Sequence, residues 1–390
     1  MFRKFIPAFL IDWYHFSLAA LGAFLYRLPS HQIKVIGVTG TNGKSTVIYF
    51  ISQILEKAGF KIASISSIEF KIGQKKWQNT LKMTMPGRTK IQRFLRQAVQ
   101  AGCQYALIEV TSEGIKQHRH RFINFNTAIF TNLTPEHIEA HGGFENYKKA
   151  KGKLFQATKN IHIINLDDEN AQYFLQFPAK KKITYGLERG DVNIKNTNFQ
   201  LHLIGDFNKY NALAAIAFAL SQGISLEICQ KALAEITVIP GRMEEVISQP
   251  FKVIVDYAFT PAALEKVYQT LKPTICVLGA CGGGRDKWKR PVLGELAGKY
   301  CQKVIVTNED PYDENPMEII NQVADGAAGK AEKILDRREA IRKALNLAKP
   351  GETVVITGKG CEPCICLANS KKIPWDDRQI VKQEFERLKK

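Results

Sequence analysis

From residue 30 onward, short apolar runs of strand length alternate with longer stretches whose apolar positions recur at helical spacing. Residues 34–38 form the first such run, and a helical pattern follows over 47–58. Residues 105–110, 127–131 and 162–165 read as further strands, with helices over 90–101 and 147–158. Another helix is predicted over 212–223, introduced by Gly205-Asp-Phe-Asn208. Runs that stay apolar without alternating belong to strands covered on both faces, so the pattern predicts a mostly parallel α/β sheet. Ile239-Pro-Gly-Arg242 interrupts it with turn-forming residues. Beyond that break the alternation resumes, with strands over 253–257, 274–279, 303–307 and 353–357 and helices over 318–326 and 339–348. The reading is therefore three parts: an apolar helical segment (1–30), a central α/β domain (31–240) and a smaller Rossmann-like α/β domain (241–390).

The first strand ends in the sequence that carries most chemical information, Gly37-Val-Thr-Gly-Thr-Asn-Gly-Lys-Ser-Thr46. Strand, glycine loop, then lysine and hydroxyls at a helix start make a phosphate cradle. Backbone N–H groups and the helix N-terminus hold the oxygens, Lys44 supplies charge, and Ser45 offers an oxygen to Mg²⁺. Gly40, Thr41, Asn42, Gly43, Lys44, Ser45 and Thr46 are thus expected to bind a nucleoside triphosphate, which makes this a P-loop domain. The spacing is not that of the standard motif, since Val38 stands where a glycine is usual. Ligands of such sheets bind at the carboxyl ends of the strands. A second glycine cluster, Gly279 to Gly284, follows a strand of the later domain in the same manner.

Charge narrows the partners. The chain carries a formal net charge of +18, which favours acidic ligands. The basic residues are spread in short runs without an RNA-binding aromatic signature or zinc-finger spacing, so phosphorylated small molecules are expected rather than nucleic acid. Eight cysteines are scattered, several inside apolar runs, as suits buried thiols in a reducing cytoplasm. Cys361-x-x-Cys364-x-Cys366 lacks a second ligand pair at finger spacing. Residues 5–28 are strongly apolar and aromatic, flanked by Arg3, Lys4 and Arg27 and interrupted by Asp12 and His15. The uncharged piece is short for a membrane span and no small-residue cleavage site follows. A helix docked on the protein or a protein partner is expected, with a membrane surface as the alternative.

Several polar residues follow strands. Glu109 closes the run 105–110, where an unpaired buried charge would be costly and a metal beside the phosphates would explain it. His137 and His141 lie in Thr131-Asn-Leu-Thr-Pro-Glu-His-Ile-Glu-Ala-His-Gly142, either as a metal ligand or as loop-capping side chains. On helical spacing alone, Lys151 reads as a solvated helix lysine.

Taken in order, these motifs resemble the Mur ligases. The likeness rests on residues 37–45, Glu109-Val-Thr-Ser112, Thr131–His137, Tyr147-Lys-Lys-Ala-Lys-Gly-Lys-Leu-Phe155, Asn208-Lys-Tyr-Asn211, Pro240-Gly-Arg-Met-Glu244, Asp256-Tyr-Ala-Phe-Thr-Pro261 and Gly358-Lys-Gly-Cys-Glu362. It spans roughly residues 33 to 385 and is nearest to the MurE type, the UDP-N-acetylmuramoyl-tripeptide synthetases. The resemblance implies an ATP-dependent amide ligase of peptidoglycan synthesis. ATP would phosphorylate a carboxylate, and an amino acid's amine would attack the acyl phosphate.

By position it implies that Lys44 contacts phosphates, that Ser45, Glu109 and His137 serve Mg²⁺, and that Lys151 carries a CO₂-derived carbamate holding a second Mg²⁺. Asn211, Arg242, Asp256 and Lys289 fall at nucleotide positions. Thr84, Ser112, Gln117 and Arg119 fall on the acceptor side. Arg285, Asp310, Gly358 and Glu362 fall on the amino-acid side.

The chain departs from the family pattern in places. Residues 1–33 stand where MurE enzymes have a UDP-gripping domain of ~100 residues, so that grip is expected from the basic surface, a partner or the N-terminal helix. Glu309-Asp-Pro-Tyr312 replaces the Asp-Asn-Pro-Arg of diaminopimelate-adding members, removing a bidentate carboxylate reader. Asp310 is then expected to receive a side-chain ammonium, and the added amino acid to be lysine-like or otherwise not diaminopimelate. Phe259, Cys361 and Glu113 each replace a family histidine. A non-UDP acceptor (a poly-amino acid, a folate-like molecule or a lipid-linked precursor) and a non-enzymatic nucleotide-dependent binder are the alternatives.

Overall fold

The computed structural model describes residues 7–81 and 83–389. Arg3, Lys4 and the first two residues of the 5–28 segment lie outside them. The chain divides into two compact units, one of residues 7–135, 144–202 and 206–237, the other of 136–143, 203–205 and 238–389.

The first unit is built on strands β1 (Lys34–Thr39), β2 (Ile62–Ile65), β3 (Glu69–Ile72), β4 (Lys75–Gln78), β5 (Tyr105–Glu109), β6 (Phe125–Phe130), β7 (Ile161–Asn165) and β8 (Lys181–Tyr185). Among the described residues they form one sheet in the order β4-β3-β2-β5-β1-β6-β7-β8. Its pairings are parallel from β2 to β8, and β3 and β4 extend it as an antiparallel edge. β1 is central, with Val35, Ile36 and Val38 fully buried, which is why the run carries no alternation. Helix Asp206–Ser221 buries nearly every side chain from Asn211 to Ala219, five of them alanines, and packs on helix Lys44–Lys57.

The second unit contains β9 (Glu244–Ile247), β10 (Lys252–Asp256), β11 (Ile275–Leu278), β12 (Lys303–Thr307), β13 (Ala331–Ile334) and β14 (Thr353–Thr357), ordered β13-β12-β11-β14-β10-β9, and a separate pair β15 (Cys364–Cys366) and β16 (Lys372–Pro374). Its interior strands are parallel and β9 is antiparallel at one edge. Helix Arg337–Leu347 and helix Asp377–Leu388 cover one face, sealed by Phe251, Ile341, Leu345, Val381 and Phe385. Beneath them Arg337 grips Asp377 with two nitrogens at 2.9 and 2.7 Å and donates to the Thr357 carbonyl at 2.8 Å.

The predicted α/β class and mostly parallel sheets are present. The sequence reading passed over β2, β3, β4, β8, β9 and β13. Each has five residues or fewer, and the edge strands carry polar residues where interior strands are apolar: β4 is Lys-Lys-Trp-Gln and exposed throughout. Helices also begin earlier than their apolar spacing suggested, at Phe144 and Asp206, because their first turns are polar.

Removing one partner of the buried Arg337–Asp377 pair strands the other charge away from water. Asp377→Ala should cost about 3–5 kcal/mol, read as a lower urea midpoint for the unfolding of the second unit, whereas Arg338→Ala, which leaves Glu384 paired with Arg342 and Arg387, should cost much less.

Candidate active site

In the first unit the loop after β1 is folded around its own lysine. Gly40 has φ +150° and Gly43 φ +84°. A Cβ at Gly40 would lie 1.9 Å from Thr131 Oγ1, and one at Gly43 would lie 2.3 Å from Asn211 Oδ1. Glycine is required at both positions. The chain after β6 clasps the loop. Thr41 N donates to the Asn132 carbonyl at 2.8 Å, Asn42 N donates to Asn132 Oδ1 at 2.9 Å, and Thr131 Oγ1 donates to the Asn42 carbonyl at 2.7 Å. Lys44 Nζ bonds back to the carbonyls of Gly40 and Thr41 at 3.1 and 2.8 Å. The loop leads directly into helix Lys44–Lys57, where Ser45 and Thr46 occupy the first turn.

Glu109 ends β5 beside that turn and is buried. Its Oε2 accepts from Ser45 Oγ at 2.8 Å and from Ser67 N at 3.0 Å, and Lys44 Nζ stands 3.8 Å from Oε1. The Ser45 and Ser67 hydroxyls, 2.7 Å apart, and the Glu109 carboxylate form an oxygen-only donor set next to the glycine loop, which fits Mg²⁺. Sequence reasoning missed Ser67, whose distance from the loop in the chain gives no signal. Lys151 corrects the solvated-lysine expectation. It is 2 % exposed, donates from Nζ to the Gly40 carbonyl at 2.7 Å and sits 4.6 Å from the Tyr147 ring centroid. Helix Phe144–Ala157 turns this one lysine inward onto the loop, between buried Ala150 and Gly152.

The expected acceptor-side residues gather elsewhere in the same unit. Ser112 opens helix Ser112–Lys116, capped by Thr111. Gln117 accepts from Arg119 at 2.7 Å and donates to Glu113 at 2.8 Å, while Arg119 also donates to the Met85 carbonyl. Burial lowers the pKa of Arg119. Thr84, next to Met85, is partly exposed.

In the second unit His137, with φ +56°, caps helix Ile138–His141, whose first two amides donate to Asp286 at 3.0 Å each. Glu136 and Lys289 form a buried ion pair at 2.7 Å, so Lys289 is held by protein as well as standing 5.0 Å from the Phe259 ring. Arg242 lies over Tyr257, 4.3 Å from its ring centroid, and Asp256 accepts from the amides of Met243 and Ala258 at 2.7 and 2.6 Å. Arg285 is disfavoured by burial, an effect more than offset by Cys281, Tyr257, Tyr312 and Glu136.

The expected reader of a ligand ammonium, Asp310, is engaged internally. Lys359 Nζ holds both its oxygens at 2.9 Å and reaches Glu362 at 2.7 Å, and Cys366 N donates to Asp310 at 2.7 Å. Lys359, in the loop that begins at Gly358, is fully buried. It is a second residue missed from sequence, although it lay inside a quoted motif. Cys281, Glu309 and Asp310 each bring a ligand atom within 4.8 Å of one another; with Lys359 against Asp310, that cluster already holds a cation.

Two family models cover this chain: the Mur ligase middle domain over residues 38–219 and the Mur ligase glutamate ligase domain over 241–360. The chain belongs to the Mur ligase family. It is 40% identical over 399 residues to the UDP-N-acetylmuramoyl-L-alanyl-D-glutamate–2,6-diaminopimelate ligase of Syntrophomonas wolfei, covering 94% of this chain and 81% of that protein. A UDP-N-acetylmuramyl-tripeptide synthetase of Roseiflexus sp. is 35% identical, covering 98% and 84%. A solved diaminopimelate ligase structure superposes with TM-score 0.60 at 29% identity, covering 92% of this chain and 79% of that one. The folylpolyglutamate synthase of Mycobacterium tuberculosis shares the fold, with TM-score 0.71 at 16% identity over 88% and 92%. This Mur ligase is an enzyme of the C–N ligase class, and the family is ATP-dependent and typically uses Mg²⁺.

The second unit of this Mur ligase carries a pH signature. Burial, then the adjacent Asp310 charge, raises the Glu309 carboxyl above its ordinary 4.5, and its Oε2 accepts no hydrogen bond from the described residues. A carboxyl raised in the folded state contributes stability that is full below the unfolded pKa and lost as pH rises through the folded value. Glu309→Gln should therefore raise Tm at pH well above 4.5 and leave it unchanged once wild-type Glu309 is protonated. A Tm series against pH checks this, and a constant offset at every pH would contradict it.

Proposed function

We propose that this Mur ligase is a cytoplasmic MurE-type enzyme that adds an amino acid other than diaminopimelate to a UDP-N-acetylmuramoyl-peptide type of carboxylate acceptor. The observation that supports the chemistry is the shared neighbourhood of the phosphate loop, the Ser45–Glu109 oxygen set and the buried Lys151. The loop amides and Lys44 bind the ATP phosphates and draw electron density from the γ-phosphoryl group. The acceptor carboxylate oxygen attacks that phosphorus and ADP departs, leaving an acyl phosphate. The amine of the incoming amino acid then attacks the acyl carbon, phosphate leaves with its bonding pair, and the amine loses a proton. Ser45 and Glu109 would hold Mg²⁺, which would supply neutralisation of phosphate charge.

Lys151 is assigned the carbamate. Its Nζ stands at the loop rather than in solvent; once the ammonium has lost a proton, its amine would bond to the carbon of CO₂ with release of a second proton, giving an oxygen-bearing anion able to hold a second Mg²⁺. His137, Asn211, Arg242 and Asp256 keep their proposed metal and nucleotide roles, with Gly40 to Thr46 as the phosphate cradle. Ser112, Gln117 and Arg119, with Thr84 beside them, face the acceptor. Arg285, Gly358 and Glu362 face the amino acid.

The amino-acid reading rests on Tyr312, which cannot replace a bidentate arginine. A lysine-like amino acid is disfavoured, because Lys359 already occupies both oxygens of Asp310. Phosphate release measured across a matrix of acceptors and amino acids tests the function. Release requiring both substrates is expected, and a clear preference for diaminopimelate would overturn the specificity. An acceptor without UDP that turns over faster would move the enzyme to the alternative acceptor class.

Lys151→Ala should lower kcat at least about a hundredfold, without rescue by bicarbonate, while ATP binding measured by calorimetry persists. Unchanged turnover would remove Lys151 from the mechanism.

A further inference from the structure

Helix Ala8–Leu25 is apolar on two opposite faces. One is docked: Ala19, Gly22 and Ala23 are buried, Gly22 lies against Thr89 of helix Arg88–Gln100, and Arg96 donates to the carbonyls of Tyr26 and Arg27 at 3.0 and 2.9 Å. Asp12 binds His118 at 2.7 Å, and His15 contacts Arg88. The opposite face bears Leu10, Trp13, Tyr14, Leu21, Phe24 and Leu25, all exposed. At ~100° per residue these positions fall within about a third of the helix circumference, along a helix about 27 Å long. Trp13 is 69 % exposed and Phe24 82 %. This aromatic and aliphatic stripe, broken by Ser17, whose hydroxyl donates back to the Trp13 carbonyl at 2.9 Å, marks an interaction surface rather than scattered surface hydrophobes.

The charges around the stripe identify its occupant. Helix Arg88–Gln100 carries Arg88, Lys90, Arg93 and Arg96 and no acidic residue, with Lys90 and Arg93 exposed. Arg27 closes the N-terminal helix, and Arg121 adjoins Phe122, whose ring meets Phe16 at 5.2 Å. The one carboxylate of the N-terminal helix, Asp12, is engaged with His118. A second copy of the chain docked face to face would oppose these cationic rims to each other. An anionic lipid surface accepts both features, with acyl chains for the stripe and headgroup phosphates for the rim; Trp and Tyr prefer that depth. No helix among the described residues is long and apolar enough to cross a membrane.

We infer that helix Ala8–Leu25 rests in the headgroup layer of an anionic membrane through Trp13, Tyr14, Leu21, Phe24 and Leu25, holding this Mur ligase at the membrane surface. The inference goes beyond the proposed reaction and does not depend on which acceptor or amino acid is used.

The test is co-sedimentation of the full chain with vesicles of phosphatidylglycerol and phosphatidylcholine in equal parts, and with phosphatidylcholine alone. Wild type should partition onto the anionic vesicles, more weakly at high salt, and Trp13→Glu with Phe24→Glu should reduce partitioning roughly tenfold or more. Trp13→Phe should retain it, and ATP binding measured by calorimetry should be unchanged in all variants, which separates this result from any failure of the proposed reaction. Equal partitioning of wild type and the double variant, or no preference for anionic vesicles, would overturn the inference. Sedimentation equilibrium showing a dimer dispersed by the double variant would overturn it in favour of self-association.

Discussion

The first unit depends on one close approach, the contact of Gly40 with Thr131. The loop can reach the chain after β6 only because no Cβ intervenes, and Thr131 and Asn132 then hold its backbone. The central place of β1, between β5 and β6, makes this contact available. β6 delivers the residues that clasp the loop, and β5 delivers Glu109 to its other side. A loop built this way is fixed by the protein itself, because its backbone is bonded to Thr131 and Asn132.

The two units illustrate different treatments of buried charge. In the first, Glu109 is surrounded by hydroxyls, an amide and the Lys44 ammonium, and Lys151 is turned onto a carbonyl. In the second, charges are paired within the protein: Glu136 with Lys289, Asp310 and Glu362 with Lys359, Arg337 with Asp377. Such pairs cost desolvation and reward good geometry. They fix loops after β14 and before helix Lys289–Tyr300 with a precision that apolar packing alone would not give. In the first arrangement charge is satisfied largely by neutral polar neighbours, and in the second it is matched by opposite charge.

Much of this was legible in the chain. The interior strands β1, β5, β6, β7, β10, β11, β12 and β14 announce themselves because burial on both faces demands unbroken apolar runs. Edge strands such as β4 and β9 do not, since one side meets water and their pairing comes from neighbours. The phosphate loop was readable because its residues are consecutive. Ser67 was not, because the fold alone brings it to Glu109. The same reason hid the burial of Lys151, whose helix spacing is compatible with either face. Tyr312 reads as the loss of an arginine, but no pattern in the chain pairs Asp310 with Lys359, 49 positions away.

The Lys359 ammonium behaves as a tethered ligand. Being part of the chain, it faces Asp310 and Glu362 at an effective concentration in the millimolar range or above, set by geometry and not by supply. Free amines in solution compete poorly against such an occupant. With Lys359 fully buried, the two carboxylates stay paired whatever amines the solution holds, so this loop keeps its shape without any free counter-ion.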